Sequence, residues 1–268
     1  MRRLPASLRS LVVAAAAAAL PACDLFYPEP RDDRLIMMAP LNPDGATHLL
    51  RLGPVSATAP PPPATVRMYR RDPRPEEVSW TLVATATEPG GKCLGYSWGR
   101  GFYGYSNTYC LAPGAPLDPG AAYMIEASAE GYRTARGRTL AVGDFDVKTA
   151  VLTRTGSSAL LNASWTGSAG AHRYFVSLRR KSPRNENPRG WYAEVDGTSA
   201  TVEVPEYAIR EAFGPLRLDV AALSEELHAY LTSGTGGSRL SVPPVQNIEN
   251  GFGFVGSMRM RSLAVESR

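Results

Sequence analysis

"LLNASWTGSAGAHRYFVSLRR", Leu160 to Arg180, decides the fold. Both ends alternate apolar and polar residues around Gly167-Ser168-Ala169-Gly170. Side chains along a strand point to opposite faces in turn, so this pattern predicts two strands joined across a bend. Tyr174, Val176 and Leu178 share one face and Trp165 closes the preceding run, which places Trp165 and Tyr174 in a core.

Similar runs recur on both sides. Thr47–Leu52, Ala64–Arg70, Val78–Thr87, Ala121–Ala129 and Thr139–Val142 precede it, together with Asp146–Thr153, and Ala200–Val204 and Leu216–Leu223 follow. With 25 Gly and 23 Pro as punctuation, short strands at this spacing argue for β-sandwiches. The one helical candidate is Glu206–Phe213, barely two turns before Gly214-Pro215. Ala59–Thr65 reads as a stiff polyproline link.

Two stretches resemble fibronectin type III modules. "LDPGAAYMIEASAEGY" (Leu117–Tyr132) has the Leu-x-Pro-Gly-x-x-Tyr arrangement of their tyrosine corner, in which a Tyr hydroxyl bonds back to the loop backbone; Tyr123 is the matching residue. Leu160–Arg180 is similar to their B–C strand pair. The matched aromatics imply packing, not catalysis.

The first 23 residues point to the envelope. Arg2, Arg3 and Arg9 precede the apolar run Leu11–Leu20, and Pro21-Ala22-Cys23 follows. This is the layout of a secretory signal, too short to span a bilayer, which takes ~20 apolar residues. "LPAC" resembles a lipobox, which implies cleavage before Cys23 and a lipid on that residue. Of three cysteines, Cys93 and Cys110 then remain as a pair for a disulfide in an oxidising compartment. The chain carries 29 Lys+Arg against 25 Asp+Glu, and loss of the three arginines in residues 1–22 lowers the excess from +4 to +1. That balance argues against a nucleic-acid partner.

The expected organisation is all-β, with two tandem sandwiches of the fibronectin type III or immunoglobulin kind behind a lipoprotein signal peptide. Residues 1–22 are the signal and 23–33 a lipid-anchored tether. Residues 34–143 form a first sandwich carrying the disulfide-closed loop 93–110, and 144–243 a second. Residues 244–268 are a glycine-rich strand segment.

Between its cysteines the loop "KCLGYSWGRGFYGYSNTYC" (Lys92–Cys110) carries Tyr96, Trp98, Phe102, Tyr103 and Tyr105 as contact candidates, because such rings offer flat, partly polar faces to sugars or peptides. "GYSWG" (Gly95–Gly99) fits a nucleophile elbow with Ser97 as nucleophile. That elbow needs a following helix, and the glycines here oppose one at ~1 kcal/mol each. "GFGFVG" (Gly251–Gly256) fits a dinucleotide fingerprint, but too little chain follows for the required βαβ unit. It reads as a strand whose glycines permit close approach. His48, His172 and His228 lack ligand spacing, so no metal and no cofactor is expected. Arg179–Arg189 reads as a solvated loop, and Met258–Arg261 as an edge strand with a wet charged face.

Taken in order, the lipobox, the two modules and "PPVQNIENGFGFVGS" (Pro243–Ser257) resemble a family of uncharacterised envelope lipoproteins encoded beside TonB-dependent outer-membrane receptors. The resemblance implies an outer-membrane location and a receptor partner. The expected function is a non-enzymatic interaction module; the alternatives are a glycan- or peptide-binding lipoprotein using loop 94–109 and, less favoured, a serine hydrolase.

Overall fold

The computed structural model describes residues 33–54, 62–71, 79–90, 107–155, 158–180, 191–206, 209, 216–233 and 247–267. Nearly all of its regular structure is strand. The earlier strands are β1 (Leu35–Leu41), β2 (His48–Pro54), β3 (Ala64–Arg71), β4 (Trp80–Ala86), β5 (Asn107–Leu111), β6 (Ala122–Ala129) and β7 (Ala135–Leu140). The later ones are β8 (Val147–Thr155), β9 (Ser158–Trp165), β10 (Arg173–Arg180), β11 (Tyr192–Val195), β12 (Ser199–Pro205) and β13 (Leu216–Leu223). Helix α1 (Glu225–Thr232) follows, then β14 (Ile248–Glu249), β15 (Gly251–Ala264) and β16 (Glu266–Ser267). Burial alternates strictly along β1 and β9, as the period of a half-buried strand requires.

The strands form three hydrogen-bonded sheets, ordered β11-β10-β13-β15-β1-β2-β5, β12-β9-β8-β16 and β14-β7-β6-β3-β4. Two cores lie between them. One gathers Leu35, Met37, Leu50, Val66, Met68 and Ile125 with neighbours up to Ala141, and takes in Ile248 and Val255 as well. The other begins at Val142 and gathers Leu161, Trp165, Tyr174, Val176, Leu218 and Val220 with theirs. Within the first sandwich, the Ala64 N–H donates to the Tyr109 hydroxyl at 2.8 Å, tying one sheet to the other through a buried ring.

The C-terminal segment is no appendage. Gly251–Ser257 runs parallel to β1, and Met258–Ala264 continues antiparallel to β13, so one strand serves both sandwiches. β14 adds to β7, and β16 adds to β8 in the sheet opposite. Every sheet therefore takes a strand from this segment. Its glycines are spatial requirements: Gly253 has φ +103°, and a Cβ there would overlap the Met37 carbonyl oxygen. A Cβ at Gly256 would meet the Leu227 Cβ of α1 at 2.7 Å.

Helix α1 is an addition to the expected elements. It packs Leu227 onto Phe254 of β15, and Tyr230 stacks on Phe254 at 4.2 Å between ring centroids. Of the helical candidate Glu206–Phe213, Glu206 and Ile209 are helical, and the rest lies outside the described residues.

His48 faces the first core and is 1 % exposed. Desolvation lowers its pKa to about 4. In the unfolded chain the imidazole takes its proton near the ordinary value of about 6.5, so over this window the unfolded state binds more protons. The contribution is fully present above about pH 6.5 and is lost as pH falls through about 4, at a cost of about 3 kcal/mol. Urea titrations across this window should show the wild type losing that much more stability than His48→Gln. An equal pH dependence in both proteins refutes the assignment.

Candidate functional site

The aromatic insert leaves the body from β4 and returns at β5. These strands are the terminal members of two different sheets of the first sandwich. The Gly90 N–H donates to the Thr108 carbonyl at 2.8 Å and closes the base. Tyr96, Trp98, Phe102, Tyr103, Tyr105, Ser97 and Cys93 lie outside the described residues, as does Cys23. Cys110 is half-buried in β5, opposite Leu49 of β2.

The core aromatics are placed clearly. Tyr123 is buried, and its hydroxyl accepts the Asp118 N–H at 2.9 Å. That bond spans five residues and pins the turn ahead of β6. Desolvation raises the Tyr123 phenol above its ordinary pKa, so it stays protonated. Tyr174 makes a matching bond in the second sandwich, accepting the Ser168 N–H at 2.8 Å. Its ring lies 5.3 Å from Trp165 and 5.9 Å from Phe145.

The "MRMR" segment reverses its expected polarity. Arg259 is 4 % exposed, whereas Met260 faces outward. Arg259 is tolerated inside because Asp44 lies 3.2 Å and Asp144 3.8 Å away. Arg261 joins the same carboxylates, with Asp44 at 2.6 Å. Burial alone would raise the Asp144 carboxyl, but the Phe145 N–H and the Arg261 and Arg259 guanidiniums outweigh it and hold it low. Asp44 belongs to the β1–β2 turn and Asp144 to the joint between the cores, so this cluster clamps the sandwiches together.

The histidines are less dispersed than their numbering suggests. His172 precedes β10 and His228 sits on α1, with ring centroids 5.2 Å apart. His228 Nε2 lies 2.8 Å from a Glu194 carboxylate oxygen. Among the described residues, no group of three or more His, Cys, Asp or Glu is arranged to hold a metal.

Sequence reasoning missed one surface, the outer face of the β7-β6-β3-β4 sheet. Cross-strand pairing lines up Leu82, Tyr69, Met124 and Arg138 in one row. The next row contains Trp80 opposite Arg71 on one side, and Ala122 opposite Leu140 on the other. The Arg138 guanidinium reaches over the Trp80 ring, 5.6 Å from its centroid. Leu82 and Leu140 are 51 % and 45 % exposed. On the other side of the Leu82–Arg138 row, Glu126 is buried between Arg67 at 3.2 Å and Arg136 at 2.8 Å. Burial works to raise the Glu126 carboxyl, but those two arginines outweigh it and keep it ionised. The missed signal was alternation: Arg136, Arg138 and Leu140 occupy every second position of β7.

No family model and no curated protein matches the chain. Among solved structures it is similar to the BSP domain of a biofilm-associated protein, with 10 % identity over 91 % of this chain and a TM-score of 0.26. The chain spans 32 % of that structure's length. It is also similar to the FN1–FN3 domains of chicken CNTN1, with 9 % identity, 87 % of this chain, 67 % of that one and a TM-score of 0.22. A Ca2+-stabilized adhesin of an ice-binding Antarctic bacterium shares 11 % identity over 87 % of this chain and 50 % of its own, at a TM-score of 0.24. The strands and cores themselves define the class, an all-β protein of β-sandwich architecture.

Proposed function

We propose that the chain is a lipid-anchored protein of the bacterial outer membrane, acting as a non-enzymatic interaction module accessory to a TonB-dependent transporter. The observation that carries this reading is where the aromatic insert is rooted. Its base is closed by the Gly90–Thr108 backbone bond between two terminal strands. Ring-rich sequence placed there can change without disturbing either core, as loops on a rigid scaffold do. Tyr and Trp present large contact area at low entropic cost. A Cys93–Cys110 bond tying the insert to β5 belongs to the same proposal and contributes about 3 kcal/mol in the chain-entropy model. The non-enzymatic part rests on the glycine-dense surroundings of Ser97, which oppose the helix a nucleophile elbow needs.

Affinity capture from detergent-solubilised envelopes tests the reading. The wild type should recover an outer-membrane receptor, and Trp98→Ala with Tyr103→Ala should weaken that capture about 30-fold, the size of one hot-spot loss, at an unchanged melting temperature. Undiminished capture by the double variant removes the loop from the function. Capture of a glycan or peptide instead of a receptor favours an accessory ligand-binding role. A lowered melting temperature shows that the rings pack rather than bind.

A further inference from the structure

The outer face of the β7-β6-β3-β4 sheet combines three properties that rarely coincide on an ordinary solvated surface. Among the described residues it is cationic, since Arg67, Arg71, Arg136 and Arg138 stand against Glu126 and Glu249 in its rows. It is apolar in patches, since Leu82 and Leu140 protrude on either side of the Arg138–Trp80 contact. It also lies on the sheet where the tether meets the body: the Arg133 N–H donates to the Asp33 carbonyl at 2.8 Å, and Arg133 Nε donates to the Asp33 carboxylate at 2.7 Å. Arg133 belongs to the β6–β7 turn.

We propose that this face docks on an anionic phospholipid bilayer, the membrane that holds the chain's own anchor; the inference rests on the lipid-anchor reading above. The nine residues 24–32 separate Cys23 from Asp33, and the ten steps between those two residues span at most ~35 Å. Acyl chains on Cys23 therefore keep the Asp33–Arg133 clasp, and the sheet bearing it, within that distance of the headgroups. Arg67 and Arg136 share Glu126, whereas among the described residues Arg71 and Arg138 pair with no carboxylate, and a negative surface potential attracts such cations. Leu82, Leu140 and the Trp80 indole suit the boundary between headgroup and acyl chain, where amphipathic rings concentrate. Arg138 connects the two halves of the design, because its guanidinium already lies over the Trp80 ring.

The test uses the Cys23→Ser chain, so that any binding comes from the body. Co-flotation with vesicles of phosphatidylcholine and phosphatidylglycerol in equal parts should exceed co-flotation with pure phosphatidylcholine, and added salt should suppress it. Arg71→Glu with Leu82→Asp should weaken vesicle binding at least tenfold, while Tyr192→Asp, at an exposed position on a different sheet, leaves it unchanged. Leu82 and Arg71 are exposed, so melting temperatures should match the wild type; if the double variant melts early, Leu140→Asp alone carries the test. Equal flotation of wild type and folded variant overturns the proposal, as does flotation on neither kind of vesicle. A dimer that the variant dissociates without changing flotation also overturns it, by assigning the face to a second copy. Intact mass of the cell-derived protein checks Cys23 separately. Lipid on Cys23 without face-dependent flotation refutes the docking face alone, whereas flotation by a chain found unlipidated refutes the anchor and still supports the face.

Discussion

Gly253→Ala should destabilise the protein by about 4 kcal/mol, near the upper end of single substitutions, and should do so for both sandwiches at once. Two causes act together at this position. Its φ of +103° is one that side-chain-bearing residues rarely adopt. An added Cβ also overlaps the Met37 carbonyl oxygen. That oxygen belongs to the paired backbone of β1, so relief requires the β1–β15 ladder to part over several residues. The same strand continues into pairing with β13, which carries the damage into the second sandwich. Urea denaturation followed by intrinsic fluorescence measures the change. A loss under about 1 kcal/mol, the ordinary cost of an exposed backbone adjustment, contradicts this account.

Trp165→Ala should cost 3–5 kcal/mol, the range for removing a buried large aromatic. Trp165 packs against Tyr174, which in turn meets Phe145 edge-on. Tyr174 also holds the Ser168 turn through its hydroxyl, so loss of its neighbour loosens the turn as well as the core. Trp165→Phe separates volume from polarity. The indole Nε1 is buried and has no hydrogen-bond partner among the described residues. Phenylalanine deletes that unsatisfied donor, which offsets part of the lost volume, because an unpaired buried donor itself costs about 1–3 kcal/mol. The Phe variant should therefore retain most of the stability that the Ala variant loses. Equal losses in the two variants locate an unrecognised partner for Nε1.

How much of this was readable beforehand depends on how local each signal is. β3 and β9 follow alternating runs that survive because each is half-buried, whereas β6 and β13 follow apolar-rich runs although most of their residues are buried. Leu35–Leu41 escaped because "LIMMAPL" shows no polar alternation and contains Pro40, a residue that normally discourages a strand. Pro40 sits opposite Gly256 in a parallel pair that no local pattern announces. Helix α1 carried a readable start, Ser224 ahead of Glu225 and Glu226, but its brevity hid its period. The Ser224 hydroxyl makes no cap; it accepts the Ser257 N–H at 3.0 Å and fixes α1 to β15 instead. The burial of Arg259 was not legible either, since its carboxylates come from Asp44 and Asp144, distant in sequence.

For the candidate site, composition marked the aromatic insert, whereas the arginine-rich face required the register of four strands. Neither Leu82 nor Arg138 is unusual alone. They share a row only because β4 pairs with β3, β3 with β6, and β6 with β7.

The parallel pairing of β1 with β15 also sets a folding order. Its partners lie roughly 200 positions apart, and closing a loop of that length costs on the order of 5 kcal/mol of chain entropy before any contact repays it. High contact order of this kind makes folding slow. Because every sheet takes a strand from residues 248–267, neither sandwich is complete until that segment has been synthesised. Only a chain that already contains residues 248–267 can close its sheets.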